Sequence, residues 1–386
     1  MMSEAPAEYK RFPANWDLLP FTKAFKDRTG GQTKIQKGDY LAKGKLPIID
    51  QGQSLVGGYT DDITASCNVE LPCIIFGDHT KIFKFIDAPF AIGADGVKVL
   101  SQREDIDSKF AYYYFETLSL PDVGYSRHFR FLKRTFFPLP PLEEQKRIAA
   151  ILDQADVIRR KRKEAIALTE ELLRSTFLDI FGDPVTNPKD WKVTKLEDTF
   201  SRKPQIGTTK PAHSKGQSLV VRVGEIGGQN VELDKCGVVT LAEKDLEKFK
   251  CEPGDFLLAR AIGSESHLGK ASILQQNNQC VVFDSHVMRL RFDHKVLLPV
   301  FFLQWLKTKG GRKLFMKKAG RTAVQFNVNG KQISSVDIPL PPIENQRKFV
   351  RFHDKAVSMI NQYDQAHYIK NDLFNSLLQK AFRGEL

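Results

Sequence analysis

Two short polar segments carry the side chains best suited to contact nucleic acid. The first spans residues 124–133 and contains Arg127, His128, Arg130 and Lys133. The second spans residues 319–329 and contains Arg321, Thr322, Gln325 and Asn327. Arginine pairs with guanine in the major groove, and glutamine or asparagine pairs with adenine, so both segments predict contacts with base edges. The alternative is that both are ordinary solvated loops.

Positive charge is concentrated in one part of the chain. The net charge is +12, and residues 186–338 hold 25 lysines and arginines against 15 aspartates and glutamates. Cations that neutralise phosphates release condensed counterions, so this distribution favours a polyanionic partner. Arg260 and Lys270 lie in this basic region and join the candidate DNA contacts. A basic surface that serves only solubility is the alternative.

No segment has the pattern of a catalytic site. Residues Gly263 to Lys270 resemble a phosphate-binding loop, but five residues separate the two glycines and Ala271 follows the lysine. The sequence contains no GxGxxG, HExxH or GxSxG, and no NPPY or DPPY methyltransferase signature. Its five cysteines form no CxxC pair, which indicates neither a zinc site nor a disulfide framework. We therefore expect no catalytic residue, metal or cofactor in this chain.

An internal repeat organises the elements that must position these segments. PLPPLEEQKR begins at Pro138 and PLPPIENQRK begins at Pro339, an offset of 201 residues that persists to Phe181 and Phe382. Each motif follows a variable block that opens with a tryptophan, Trp16 or Trp191. So long a period excludes a solenoid and indicates a duplicated domain with a connector. The boundaries are 1–139 (first block), 140–182 (central helix), 183–340 (second block) and 341–386 (C-terminal helix).

Each proline motif opens a long helix. Proline suits a first helical turn, and the carboxylates that follow oppose the positive helix end. No glycine or proline interrupts either run before Gly182 and Gly384, which predicts the helix ends there. The first helix would span Glu143 to Phe181, about 60 Å at 1.5 Å per residue.

A 4-3 spacing of apolar residues predicts a coiled-coil seam on these helices. Its apolar members, assigned to helix–helix contact and partner docking, are Ile151, Ala155, Ile158, Ala165, Leu172, Phe352, Ala356, Met359, Ala366, Leu373 and Leu377. Antiparallel pairing of the helices would give a single chain approximate two-fold symmetry.

The blocks mix β-type runs with helical stretches, which predicts an α/β fold. The predicted strands are Cys73–Phe76, Lys81–Ile86, Gly96–Leu100, Ser218–Val223, Phe256–Ala259, Val281–Phe283 and Val287–Phe292. The predicted helices are Phe110–Leu118 and Val300–Lys309, whose aromatic stripes indicate core rather than stacking platforms for bases.

The whole chain resembles the DNA-specificity subunit of type I restriction–modification systems. The resemblance rests on the two PLPP-x-E-x-Q elements, on Phe76-Gly-Asp-His-Thr80 and Phe181-Gly-Asp-Pro184, and on the ending Leu378 to Leu386. It implies two mixed α/β target-recognition domains joined by two long antiparallel coiled-coil helices in a pseudo-two-fold internal repeat. Each domain would read one half of a bipartite, asymmetric target, and the helices would set the spacer.

The resemblance also implies partners and cofactors. The expected partners are double-stranded DNA, two adenine methyltransferase subunits docked on the helices and, for restriction, two motor-nuclease subunits. S-adenosylmethionine would belong to the methyltransferase, and ATP and Mg²⁺ to the nuclease. The specificity subunit itself is non-catalytic in this family.

Two rival functions remain at this stage. One is an enzyme, which the missing motifs disfavour. The other is a free-standing DNA-binding regulator that dimerises through its coiled coil. Because no charged-then-apolar leader and no run of 18 apolar residues is present, we expect a cytoplasmic protein with no membrane partner.

Overall fold

The computed structural model describes residues 12–124, 126–213, 215–264, 267–321 and 326–386, with only the backbone described for Arg321 and residues 363–373. The chain divides into two compact units. The first unit comprises Met1–Glu164 and Asp364–Leu386, and the second comprises Ala165–Tyr363. Each unit therefore contains one block and one end of each long helix.

The first block is mainly β-structure. Its strands are β1 (Asp17–Pro20), β2 (Phe25–Asp27), β3 (Lys34–Ile35), β4 (Leu46–Ile49), β5 (Gly58–Thr60), β6 (Cys73–Gly77), β7 (Phe83–Ile86), β8 (Ala91–Gly93), β9 (Val97–Gln102) and β10 (Phe136–Leu139). Its helices are α1 (Phe21–Ala24), α2 (Ser108–Glu116) and α3 (Phe129–Leu132). One sheet has the order β2-β9-β6-β7 and is antiparallel, whereas in the sheet β3-β8-β4-β5 strand β8 runs parallel to β3 and β4.

The second block repeats this plan. Its strands are β11 (Val193–Lys195), β12 (Phe200–Ile206), β13 (Ser218–Val221), β14 (Gly237–Val239), β15 (Phe256–Ala259), β16 (Ala261–Ile262), β17 (Ala271–Ile273), β18 (Val281–Phe283), β19 (Val287–Phe292), β20 (Gly320–Arg321), β21 (Phe326–Asn327) and β22 (Asp337–Pro339). Its helices are α5 (Glu243–Phe249), α6 (Pro299–Lys307), α7 (Lys309–Met316) and α8 (Gly330–Ser334). The sheet β12-β19-β15-β17 matches β2-β9-β6-β7 in strand order, and β13 again pairs in parallel with β18.

The central strands follow from composition. All five residues of β6 and all four of β15 are buried, as expected for apolar runs covered on both faces. Every predicted strand lies within two residues of an observed one, so these predictions are confirmed. The aromatic residues of α2 and α6 are core residues, as predicted, because Phe110, Tyr114, Phe302 and Trp305 are almost completely buried.

Two uninterrupted helices follow the proline motifs. Helix α4 spans Leu142–Phe181 and helix α9 spans Ile343–Ala381, so both predicted helices are confirmed. Gly182 and Gly384 adopt φ angles of +78° and +70°, the left-handed conformation that favours glycine after a helix end. An antiparallel ribbon closes each block before its helix begins, β1 with β10 and β11 with β22.

In the first unit, the start of α4 and the end of α9 pack on the first block. Ile148 and Leu152 share one core with α2 and with Phe382. The two helix segments run in opposite directions, because Arg147 donates to the carbonyl of Leu386 (2.7 Å) whereas Arg159 lies 4.7 Å from the ring of Phe374. In this unit the helix ends are therefore part of the block's own core.

In the second unit, the end of α4 and the start of α9 pack on the second block. The ring of Phe177 lies 5.4 Å from Phe301 of α6 and 5.3 Å from Phe349 of α9. Phe181 contacts the same two rings at 4.9 and 5.6 Å. Aromatic packing therefore joins α4, α6 and α9 into one core.

Three residues of the predicted seam face water, and several of their neighbours along the helices are buried instead. Ile158, Leu172 and Met359 are 44%, 51% and 50% exposed. The fully buried residues of the same helices include Ile148, Leu152, Leu173, Phe177, Phe349, Phe374 and Leu378. A shift of one residue turns a side chain by about 100° around the helix axis. The cause is that the helix ends bury the side that faces α2 or α6, which the spacing of apolar residues does not report.

The remaining seam residues lie closer to the cores. Ala356 is buried, and Ala155, Phe352 and Leu377 are half-buried against a core. Ile151 and Ala165 are also half-buried. The side chains of Ala366 and Leu373 fall outside the described part of the chain. Within that part, no helix is both long and apolar enough to cross a membrane.

Candidate nucleic-acid interface

The basic loop of the first block is anchored on the end of its central strand. Asp78 follows β6, and its backbone carbonyl accepts a hydrogen bond from the N–H of His128 (2.8 Å). The Asp78 carboxylate accepts a second bond from the N–H of Phe129 (2.7 Å). Nδ1 of the His128 imidazole also lies 3.0 Å from the Asp78 carbonyl oxygen. The segment Phe76 to Thr80 therefore fixes the path of the loop that carries the candidate arginines.

The candidate residues of this loop separate into two groups. Arg127, Arg130 and Lys133 are exposed. The Arg130 guanidinium lies 4.8 Å from the centre of the Phe131 ring, and the Lys133 ammonium lies 5.5 Å from the centre of the Phe129 ring. His128 is 1% exposed, so its imidazole supports the loop rather than reaching DNA. The loop therefore presents three cations held close to a folded surface.

A second loop, residues 50–55, lies beside the first, and its role was not predicted from the sequence. Lys84 of β7 is buried, and its ammonium group donates to the carbonyls of Asp50 (2.6 Å), Ser54 (2.5 Å) and Leu55 (3.4 Å). Burial lowers the pKa of Lys84, and the nearby Asp50 carboxylate opposes that effect. A buried lysine is rarely found without partners, and here it holds residues 50–55 in one conformation.

This second loop contacts the segment that anchors the first. The side-chain oxygen of Gln51 accepts from the N–H of His79 (3.2 Å), and its carbonyl accepts from the Thr80 hydroxyl (2.7 Å). Gln53 follows at an exposed position. Hydrogen bonds thus join residues 51–55, 78–80 and 127–133 into one group of loops, which we call the first loop cluster. The sequence signal that could have found it is the run of polar residues and glycines after β4.

The second block has a corresponding arrangement around Arg260. The N–H of Val328 donates to the Arg260 carbonyl (2.8 Å), and the Arg260 guanidinium donates to the carbonyls of Val328 (3.3 Å) and Ser285 (3.0 Å). Strand β21 lies between β16 and β20, which brings Asn327 opposite Ala261. The candidate Arg260 therefore anchors the loop rather than projecting from it. Asn327 is half-buried in that loop.

Lys270 lies beside a further loop of the second block. Ser272 of β17 is buried, and its hydroxyl accepts from the N–H of Gly227 (3.0 Å) and donates to the carbonyl of Gly228 (3.1 Å). Gly227 has a φ of +130°, and a Cβ atom there would lie 3.4 Å from the Lys270 side chain. Lys270 itself is exposed. Residues 227–230, 260–264, 267–270, 320–321 and 326–328 form the second loop cluster.

Three of the predicted contact residues lie wholly or partly outside the described part of the chain. Thr322 and Gln325 lie outside the described residues, and only the backbone of Arg321 is described. That backbone pairs with Phe326 across β20 and β21, so the predicted segment begins and ends in a small sheet.

The two clusters are built alike although their anchoring residues differ. In each block, the residue after the central strand, Asp78 or Arg260, bonds the loop that precedes the closing ribbon. In each block, a buried polar residue of the edge strand beside the central strand, Lys84 of β7 or Ser272 of β17, bonds a second loop. Exposed cations can contact phosphates, and neighbouring amides can contact base edges. The arrangement therefore suits recognition of a short duplex segment by each block.

A family model described as the type I restriction modification DNA specificity domain matches residues 25–168 and 188–366. The chain belongs to this family. Each match covers one block and a large part of the helix after it, so the specificity domain occurs twice, in agreement with the internal repeat.

Curated relatives carry the same description. The EcoKI specificity subunit of Escherichia coli K12 is 26% identical over 266 residues, covering 64% of this chain and 57% of the relative. The EcoBI specificity subunit of Escherichia coli is 27% identical over 291 residues, covering 67% and 60%. A specificity subunit from Methanocaldococcus jannaschii is 24% identical over 196 residues, covering 50% and 46%. The chain thus spans about half to three-fifths of these relatives' lengths. Their names describe specificity subunits, which agrees with the prediction of a non-catalytic chain.

Solved structures share the fold. A type I specificity subunit from M. genitalium aligns over 95% of this chain and 96% of its own with a TM-score of 0.62 and 17% identity. A structure from a study of type I complex assembly and conformational transition aligns over 97% and 99% with a TM-score of 0.50 and 17% identity. At such identity the likeness shows the mixed α/β fold alone.

Proposed function

We propose that this chain is the non-catalytic DNA-specificity subunit of a type I restriction–modification complex. Its division is that predicted from the sequence: recognition domains at 1–139 and 183–340, helices at 140–182 and 341–386. Each recognition domain reads one half of a bipartite, asymmetric duplex target. The observation that carries this proposal is the occurrence of two loop clusters with the same anchoring scheme, one in each block.

The long helices set the unread spacer between the half-sites. Support comes from their lengths, 40 and 39 residues, and from the opposite directions of the two helix segments within the first unit. Paired antiparallel helices with pseudo-two-fold symmetry would present the two domains to one duplex. Recognition of two short half-sites at a fixed distance amounts to recognition of one longer target sequence.

The helices also dock the adenine methyltransferase subunits. Support comes from Leu168 and Leu172, which stand one turn apart on α4 and are 58% and 51% exposed. Large aliphatic side chains gain free energy when a partner removes them from water. Two methyltransferase subunits bind S-adenosylmethionine, and two motor-nuclease subunits bind ATP and Mg²⁺. The assembly works in the cytoplasm, and this chain contributes no cofactor site.

Methylation mapping tests this function. Adenine methylation is mapped by long-read sequencing in a host with and without the gene for this chain. We expect one bipartite motif with an unread spacer to lose methylation when the gene is absent. An unchanged methylation pattern, or loss of a single uninterrupted motif, contradicts the proposed function. Family membership gives no support to a free-standing regulator, which would change transcription without changing methylation.

A further inference from the structure

Two glutamines of the repeated motif are completely buried. Gln145 is the last residue of PLPPLEEQ and Gln346 is the last residue of PLPPIENQ, and each is 0% exposed. Both lie in the first turns of α4 and α9, where a polar side chain would ordinarily face water. A buried amide is costly unless its donors and acceptor are paired, so the partners of these two side chains define what they do.

Gln145 joins α4 to the aromatic helix of the first block. Its side-chain oxygen accepts from the N–H of Asp107 (2.8 Å), the N-cap residue of α2. Its side-chain nitrogen donates to the carbonyls of Asp105 (3.0 Å) and Pro140 (2.9 Å). One amide therefore bonds the start of α2, the turn before it and the proline motif that opens α4.

Gln346 makes the same three bonds in the second block. Its oxygen accepts from the N–H of Leu298 (2.9 Å), the N-cap residue of α6. Its nitrogen donates to the carbonyls of Val296 (3.0 Å) and Pro341 (2.9 Å). As in the first block, the partners are the N-cap residue, the residue two positions before it and the residue five positions before the glutamine. We call this set of three bonds the glutamine joint. Both halves of the chain have it, although their blocks share little sequence.

The three bonds of each glutamine add to the contacts that α2 and α6 make elsewhere with the long helices. Aromatic rings surround each joint, such as Phe110 with Phe382 and Phe301 with Phe177. In the first block, Lys109 and Tyr113 of α2 also donate to the Asp153 carboxylate of α4. Apolar packing depends weakly on orientation. Three hydrogen bonds to one planar amide permit a narrow range of angles. Glutamate lacks the donors, and asparagine is one methylene shorter.

We propose that Gln145 and Gln346 are positioning residues that fix the angle between each recognition domain and its long helix, and thereby the spacer length that the complex accepts. This inference rests on the proposed function. A small change of angle at either joint moves a loop cluster along the duplex, whereas base contacts within one half-site depend only on that cluster. Loss of a joint should therefore relax spacer length and leave half-site sequence unchanged.

The test uses Gln145→Met and Gln346→Met, which keep most of the side-chain volume and remove the hydrogen bonds. Gln154→Met and Gln362→Met, at exposed positions of the same two helices, are the matched controls. Each variant is purified as the complex with its methyltransferase. Methylation rates are then measured on duplexes that carry the mapped target with its natural spacer, or with one base pair added or removed.

We expect the preference for the natural spacer over the altered spacers to fall at least fivefold in the Gln145 and Gln346 variants and to stay at the wild-type value in the controls. Base preferences within each half-site should not change. Where a methionine variant does not fold, Gln145→Asn or Gln346→Asn, which keep the amide but place it one methylene short of its partners, take its place. An unchanged spacer preference, even with a lower melting temperature, assigns the glutamines a purely structural role and overturns the inference. If the wild-type complex has no bipartite target, the proposed function fails and the inference fails with it.

Discussion

At the scale of single residues, the second unit encloses an imidazole where the first unit has a leucine. His353 is 0% exposed, and the position 201 residues earlier is Leu152, which is equally buried. Nδ1 of His353 lies 3.2 Å from the Asp354 carboxylate, and its Nε2 has no hydrogen-bond partner among the described residues. Burial lowers the pKa of His353 from its ordinary value of 6.5; Lys307 acts in the same direction, and Asp354 acts against both.

This lowered pKa predicts acid sensitivity of the second unit. The unfolded chain binds a proton on His353 below about pH 6.5, whereas the folded chain does so only at lower pH. The unfolded state therefore binds more protons in that window, and stability falls as pH drops below about 6.5. His353→Leu should remove this part of the pH dependence, and His294→Gln, an exposed histidine, should not. Thermal unfolding between pH 7.5 and pH 5 measures the difference, and parallel pH profiles of wild type and His353→Leu contradict the assignment.

The sequence could predict which side chains are free to contact DNA only where the local pattern determines their exposure. Arg127, Arg130 and Lys133 are exposed, as a basic loop suggests. His128 and Arg260 were predicted to contact DNA for the same reason. The His128 ring instead lies against the carbonyl of Asp78, and the Arg260 guanidinium donates to the carbonyls of Val328 and Ser285. Those partners lie far away in sequence, so no local pattern could distinguish a contact residue from an anchor.

At the scale of elements, helix α4 leaves apolar residues exposed, and we propose that they form the docking surface for the methyltransferase. The side chains of Leu168 and Leu172 are more than half exposed to water. Leu173, the next residue, is buried. The helix therefore packs one face inside the second unit and leaves another available.

Replacing both exposed leucines should separate docking from folding. In Leu168→Ser with Leu172→Ser, burial of two leucines is lost, at about 1.5 kcal/mol or more each. Affinity for the methyltransferase should then weaken by about 100-fold or more. The matched control is Glu171→Ser, an exposed neighbour. Titration calorimetry of the purified chain with the methyltransferase measures the change. Equal affinity of the double variant and wild type would place docking elsewhere.

The long helices and central strands could be predicted because their signals are local. Proline at the start, glycine at the end and an unbroken helical pattern between them define α4 and α9. Runs of buried apolar residues define β6 and β15. The two-residue strand β16 pairs with β21 across more than 60 residues of sequence, so propensity could not reveal that pairing.

At the scale of the whole molecule, one chain carries two blocks of the same construction, which we propose to be two readers of DNA. The anchoring bonds recur in both blocks, and so do the glutamine joints, while the exposed residues of the loop clusters differ. Such a division lets the exposed residues change without loss of the framework. It also predicts that damage to one loop cluster affects one half-site alone, because each cluster belongs to a different block.

Half-site readout by paired loop variants tests this central claim most directly. One variant carries Arg127→Ala with Arg130→Ala in the first cluster, and another carries Lys270→Ala with Asn327→Ala in the second. Lys244→Ala with Lys248→Ala, exposed cations of α5, is the control for loss of charge. Methylated adenines are mapped in hosts that express each variant. We predict that each cluster variant relaxes the base preference of a different half-site and leaves the other half-site intact, while the control keeps the wild-type motif. Equal loss at both half-sites from either cluster variant would contradict the account of one reader per half.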